Sequence, residues 1–553
     1  MQSQAGWISR VLAGSALWLL CAAAAAQAHL AATANAQQLV VVRGDTLYSI
    51  AAEHLVPPGD WAALQRFNQI RNPRHLKPGS SLRIPLAWLR QTPTQAEVVF
   101  VQGPCWVHKP GAAAVEAVVG TAVHGGDSVR TAHGASMTLR FVDGSRLLVV
   151  PGTEFVIEQL AQSNLGAVPS TRLRLLAGRL ETRVATRPDK ATRFEIHTPA
   201  VNLGVRGTEF RTGVDPADGS TRFEVLAGRV AGTAAAVTLT LDAGFGAVAL
   251  PGVALLARHA LLGAPNLGAL PALVDSVPLR LAWPAQAGAS AFRAQVFAAG
   301  TGDQLLLDGV FTAPAARWLD LPDGNYILRV RALDAQALEG LDASATFTLK
   351  ARPEPPFTRQ PASQAKVYGE SAQFAWTRSD VAKAYRLQVS STADFAAPVF
   401  DRADLTVTEI RLPLAPGVYY WRAASIAAGQ DQGPFSDVQS FEQRAMPASP
   451  PSEPPALGEK GLEFRWKAPA AGQKVQFQVA TDAAFEHILL DQLTDGAQGL
   501  LPAPEPGPYF LRLRSIDADG FKGNFGATQR IDVPPLPKNW WLLLPFGLLL
   551  LML

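Results

Sequence analysis

Apolar positions between residues 39 and 85 change period twice. Leu39–Val42 is a continuous apolar, β-branched run and reads as a strand. Leu47, Ile50, Ala51 and Leu55 then follow at helical spacing, which gives a helix with one apolar face. Gly44-Asp45-Thr46 makes the turn between them, with Asp45 or Thr46 placed to cap the helix. Pro57-Pro58-Gly59 stops it, and Asp60 is placed to cap a second helix whose buried stripe is Trp61, Leu64 and Phe67. Pro78-Gly79 turns the chain, and Leu82-Arg83-Ile84 returns as a strand closed by Pro85. The pattern predicts a small strand–helix–helix–strand unit.

A link bearing Pro and Gln, Gln91–Gln95, follows, and from Ala96 to about Leu250 the period becomes that of strands. Short alternating runs are cut by Gly and Asp: Glu97–Val101, Met137–Val142, Arg146–Val150, Phe155–Gln159, Arg172–Leu176 and Phe223–Leu226. Asp143-Gly144 predicts a hairpin through a type I′ turn, which needs residues that tolerate positive φ. From about Asp275 the chain repeats. Trp283, Trp376 and Trp466 lie 93 and then 90 residues apart, and so do Tyr326, Tyr419 and Tyr509. Each Tyr lies in Gly-x-Tyr-x-x-Arg, and the aromatic spacing is that of a core. Ala351–Pro361 and Pro447–Pro455 are Pro-rich, which predicts stiff linkers holding the units apart.

Composition narrows the class. The chain has 553 residues, enough for several domains, with 46 Gly, 42 Pro and a net charge of +3. That balance suits a β-rich extracytoplasmic protein, and without a basic run it excludes a nucleic-acid partner. Residues 1–28 carry Arg10, the apolar core Val11–Leu20 and the small-x-small site Ala26-Gln27-Ala28, the pattern of a cleaved export signal. Cys21 follows Leu20, which is too large for a lipidation site, so Cys105 remains as a lone, small apolar residue. The uncharged run 540–553 is too short to span a bilayer as a straight helix but is suited to membrane contact as a short apolar helix, with Trp540 and Trp541 at the interface.

Three resemblances rest on these residues. Val42-x-Gly44-Asp45-Thr46-Leu47-x-x-Ile50-Ala51, Asn68, and Leu76-x-Pro78-Gly79-x-x-Leu82-x-Ile84-Pro85 closely resemble a LysM domain, which implies binding of N-acetylglucosamine polymers. The family's groove then maps onto Gly44, Asp45, Thr46 and Leu47 and onto Asn72, Pro73, Arg74, His75 and Leu76. An acetamide needs one donor, one acceptor and an apolar wall, which turn backbone and a leucine can supply.

Gly126-Asp127-x-x-Arg130-Thr131, Phe141-x-Asp143-Gly144-Ser145, Pro151-x-Thr153-Glu154, Leu176-x-Gly178-Arg179-Leu180, Thr198-Pro199-Ala200, Val205-Arg206-Gly207-Thr208-Glu209-Phe210 and Leu226-x-Gly228-Arg229-Val230 are similar to FecR-type periplasmic domains. This implies an all-β domain, solenoid-like or sandwich-like. Arg206 and Glu209 read as a structural ion pair. The family's regulators place a sigma-binding region and a transmembrane helix before this domain, where this chain has a signal and the LysM-like unit, so that role does not transfer. The repeats look like fibronectin type III-like β-sandwiches, with Tyr326, Tyr419 and Tyr509 at the corner position.

The expected order is thus a signal (1–28), a LysM-like module (39–85), a FecR-like β domain (96–250), three sandwiches (275–350, 362–445 and 456–533) and an apolar tail (540–553). The function this implies is an exported, non-catalytic protein of the periplasm or cell envelope that binds peptidoglycan glycan and presents its other domains to an envelope protein. A periplasmic sensor in which the FecR-like domain relays a partner's signal is the alternative, and a peptidoglycan hydrolase is a third class. There is no nucleophile elbow, P-loop or dinucleotide fingerprint, and the nine histidines are scattered, so no catalytic set, metal site or cofactor is expected.

Overall fold

A computed structural model describes residues 36–535, apart from 167, 186–192, 206, 255, 256 and 301. The export signal, Cys21, the apolar tail and Arg206 lie outside the described residues. The fold is multidomain and mostly β, and it divides into two bodies, up to Ala351 and from Arg352. Among the described residues no helix is long and apolar enough to cross a membrane.

The first body begins with β1 (Ala36–Val40), α1 (Leu47–His54), α2 (Trp61–Phe67) and β2 (Ser81–Pro85). β1 and β2 are antiparallel, with Val40 opposite Ser81. The strand lies earlier than Leu39–Val42, because the Val42 amide is already taken by the Asp45 carboxylate at 2.8 Å. Val41, Leu47, Ile50, Leu64, Leu82 and Ile84 form the core. Trp61, expected to be buried, is exposed. It opens the helix at the margin of the apolar stripe, and the ring that packs edge-on to Phe67 is that of Trp88, with centroids 5.6 Å apart.

The link Gln91–Gln95 is not a spacer. Gln91–Pro93 is a strand paired with Glu154–Ser163, and Gln95 opens the next strand. All six strand runs read from the sequence overlap observed strands, except that Val142 and Val150 fall just outside. These strands form two sheets closed on one core, a sandwich. Pro169–Arg183 belongs to both sheets. Its first half pairs with Glu154–Ser163 and with Arg193–His197, and its second half with Arg146–Val149 and Glu209–Val214.

The strand crosses at Gly178 (φ +83°), where a Cβ would meet the Thr153 Cα at 2.4 Å. Only glycine permits both that conformation and that approach. The same corner recurs at Gly228 (φ +78°), packed against Thr208. Gly152-Thr153-Glu154-Phe155 with Leu176-Ala177-Gly178-Arg179, and Gly207-Thr208-Glu209-Phe210 with Leu226-Ala227-Gly228-Arg229, are therefore two copies of one device. The hairpin at Asp143-Gly144 is present, but only Gly144 has positive φ (85°). In place of a type I′ turn, a longer loop is held by the Asp143 carboxylate, which accepts from the Ser145 amide at 2.9 Å.

Each repeat is a fibronectin type III-like sandwich, the first in the first body and the other two in the second. Trp283, Trp376 and Trp466 are buried in their cores. The Tyr326, Tyr419 and Tyr509 hydroxyls donate to the carbonyls of Pro322, Ala415 and Glu505 at 2.6, 3.0 and 2.8 Å, the corner geometry.

The second Pro-rich stretch does not hold the second and third sandwiches apart. The Trp421 indole donates to the Pro361 carbonyl at 3.2 Å, and the amides of Glu453 and Lys467 bond the Arg465 and Pro451 carbonyls at 2.9 Å. Both stretches are strapped to the sandwich they precede. The second and third sandwiches touch directly, with Tyr368 stacked on Phe521 at 3.8 Å.

Candidate functional site

β1 ends opposite the start of β2, so the segment after one strand and the segment before the other lie at the same end of the two-stranded ribbon. That end carries Gly44–Leu47 and Asn72–Leu76. Gly44 has φ +103° with nothing within 4 Å of where a Cβ would stand. Thr46 is the helix cap, its hydroxyl accepting from the Ser49 amide at 2.9 Å while Ser49 Oγ accepts from the Thr46 amide at 3.0 Å. Asp45 is therefore not the cap; its carboxylate closes the turn through Val42. Asn72 Oδ1 accepts from the Arg74 amide at 3.0 Å, and its amide nitrogen lies 3.0 Å from His75 Nδ1.

Gly44, Thr46, Asn72, Arg74 and His75 are exposed, and Asp45, Pro73 and Leu76 are half-buried. Leu47 is buried in the module core, where Leu76 also packs. Leu47 can thus offer a ligand only its backbone, whereas Leu76 keeps part of its surface as an apolar wall. Two neighbours escaped the sequence reading. Tyr48 stands 71% exposed beside the turn, and Ser49 completes the capping box, which a serine three residues after Thr46 would have signalled.

A second cluster joins the FecR-like sheets to the first sandwich. Leu148 and Val150 pack against Phe297 and Leu305. Beside them lies a buried ionic lattice. Arg331, 1% exposed, bonds Glu181 and Glu339 and lies 3.1 Å from Asp342 Oδ1. Arg211 Nη1 donates to the Gly340 carbonyl at 2.9 Å. Arg179 reaches Glu224 at 2.6 Å and Glu339 at 3.0 Å, and Arg293 reaches Asp308 at 2.6 Å.

Burial alone would raise the Glu181 pKa, but the charges of Arg331, Arg211 and Arg329 outweigh it and hold the carboxyl at about 2. Glu339 is likewise pulled well below its ordinary value, against its burial, by Arg179, Arg331 and Arg293. Glu224 goes the other way: its burial, with the Glu339 charge beside it, outweighs Arg179 and raises it. Buried charges persist only with such partners. Glu209 bonds Arg183 at 2.9 Å, and its expected partner Arg206 lies outside the described residues.

The LysM domain model matches residues 39–85, and the FecR protein model matches residues 127–231. The chain therefore carries a LysM domain, of a kind that binds glycans such as peptidoglycan, and a FecR domain. Both are binding or signalling types that occur in bacterial envelope proteins. No curated protein matches the chain.

Among solved structures, the chain is similar to a putative anti-sigma factor from Parabacteroides distasonis ATCC 8503, at 14% identity over 24% of this chain and 59% of that one, TM-score 0.21. It is similar to the chicken CNTN1 FN1-FN3 domains at 12% identity over 50% of this chain and 98% of that one, TM-score 0.23. The fibronectin(III)-like modules of Clostridium thermocellum CbhA match at 12% identity over 32% of this chain and 94% of that one, TM-score 0.22.

Proposed function

We propose that this is an exported, non-catalytic cell-envelope protein that binds peptidoglycan through its LysM domain and presents its FecR domain and sandwiches to protein partners. The observation that carries the reading is the pair of exposed turns at one end of the module, Gly44–Thr46 and Asn72–His75. The amides of Asp45, Thr46, Arg74 and His75 are bonded within the turns, so the Gly44 and Asn72 amides are the donors left. With the Gly44 and Pro73 carbonyls and the apolar flank of Leu76 they make the set an N-acetyl group requires. The division into 39–85, 96–250, 275–350, 362–445 and 456–533, the signal at 1–28 and membrane contact by 540–553 belong to the same reading.

A single module of this size buries little ligand, so affinity is modest, roughly −4 to −7 kcal/mol or about mM to 10 μM. The test is sedimentation of the full chain with purified peptidoglycan, with N-acetylglucosamine oligomers as competitors. Retention in the pellet that the oligomers reverse is expected. A chain that stays in the supernatant sinks the reading. The second reading, a sensor in which the FecR domain relays a partner's signal, then takes its place, supported by the FecR match at 127–231.

A further inference from the structure

The three sandwiches share one row of side chains, and the first uses it differently from the others. Asp308, Gln295 and Arg329 face one another across adjacent strands. Asp401, Gln388 and Arg422 do so in the second sandwich, and Asp491, Gln478 and Arg512 in the third. In those two, the glutamine nitrogen donates to the aspartate at 2.9 Å and its oxygen accepts from the arginine Nε at 2.8 Å.

The Arg422 guanidinium carbon lies 4.1 and 4.2 Å from the ring centres of Phe395 and Phe435. That of Arg512 lies 3.9 and 4.2 Å from Phe485 and Phe525. At the equivalent positions, counted from the row's glutamine and the corner tyrosine, the first sandwich has Gly302 and Asp342. There Glu181 of the FecR-like sheets enters, accepting from Gln295 Nε2 at 2.9 Å and lying 3.6 Å from Arg329 Nη1.

Arg422 and Arg512 form no ion pair among the described residues, and none of their nitrogens is a sealed, unpartnered atom. With rings against the guanidinium and Nε fixed by glutamine, the open part of each group is its outer Nη edge. A guanidinium held in that way is preorganised for a carboxylate, because little rotamer freedom is left to lose on binding.

We infer that Arg422 and Arg512 are docking points for an acidic polypeptide partner that presents glutamate or aspartate from an extended strand, as Leu180-Glu181-Thr182 does to the first sandwich. The aspartates of the row do not forbid this, since Asp308 occupies the same place in the first sandwich and Glu181 still docks.

The test uses the full chain and a fluorescent alternating Glu-Thr peptide of about ten residues, one strand long, read by anisotropy at low salt. Binding is expected to fall about tenfold in R422Q/R512Q and to hold in R530Q, whose arginine is exposed and paired with Asp532. A Gln-Thr peptide should not bind. R422K/R512K keeps the charge without the planar edge and should lose part of the affinity, which guards against misfolding of the glutamine variant. Retention on peptidoglycan, which depends on the LysM domain, should be unchanged in every variant. No binding of the Glu-Thr peptide by the full chain, equal binding of the Gln-Thr peptide, or an equal loss in R530Q overturns the inference.

Discussion

Arg211 and Asp342 meet at 2.6 Å, the first from a FecR-like strand and the second from the loop of the first sandwich. Arg211 is 1% exposed, so its charge depends on this carboxylate and on the Gly340 carbonyl. Asp342→Ala should destabilise the first body by roughly 1–3 kcal/mol, below the about 3–5 expected for a fully buried pair, because Asp342 keeps some solvent contact. Urea unfolding of the full chain checks this. An unchanged midpoint would mean that Glu181 and Glu339 already satisfy the arginines.

The lattice also sets an acid limit. The Glu181 carboxyl is depressed from 4.5 to about 2, so its stabilising contribution is complete above about pH 4.5 and is lost as pH falls towards 2. Glu224 is raised, so its ionisation opposes folding and its protonation relieves that cost. The two effects have opposite signs, and only the Glu181 part lies wholly below pH 4.5. Glu181→Gln should therefore flatten the melting-temperature profile between pH 4.5 and 2 while lowering it at neutral pH. A parallel profile would assign the acid loss to other carboxylates.

The sequence made the elements legible because each is a local signal. Strand alternation, the Gly-x-Tyr-x-x-Arg markers and the Gly44–Leu47 turn all depend on neighbours in the chain. The FecR–sandwich junction was not legible, because Glu181 and Arg331 are 150 residues apart and neither lies in an apolar pattern. Its only trace is comparative: Gly302 and Asp342 stand where the other repeats have phenylalanine. Trp61 misled because helical spacing identifies a stripe but not its margin, and Trp88 could not be placed against Phe67 from periodicity. The second Pro-rich stretch misled because composition reports stiffness and says nothing of the sandwich surface to which Glu453 is bonded.

Cys105 is buried, and burial, with Glu116 adding to it, pushes its thiol up to about 11. The thiolate is the reactive form, so at pH 8 only about one molecule in a thousand is ready to react. In a Cys21→Ala background, the native chain should resist a thiol reagent that modifies it fully in denaturant. Rapid native labelling would contradict this burial.

The LysM turn allows a graded test, because three neighbouring residues hold it by different means. Gly44 adopts φ +103° in open space, so a side chain there meets no clash and the penalty is backbone strain alone. For a β-branched residue that strain is about 1–2 kcal/mol or more, and the turn has another conformation to relax into. Gly44→Val should therefore move the Asp45 and Thr46 backbone and abolish sedimentation with peptidoglycan while the module core stays folded. Asp45→Ala removes the bond to the Val42 amide and should weaken the turn by about 0.5–1.5 kcal/mol. Thr46→Ala removes the cap, costing about 1 kcal/mol of stability with less effect on the turn. The expected order of binding loss is Gly44→Val, then Asp45→Ala, then Thr46→Ala, whereas stability loss should not follow that order. If all three variants lose binding only in proportion to stability, the turn is not the binding surface. The glycan contact would then be sought at exposed Tyr48 and along the Asn72–His75 loop.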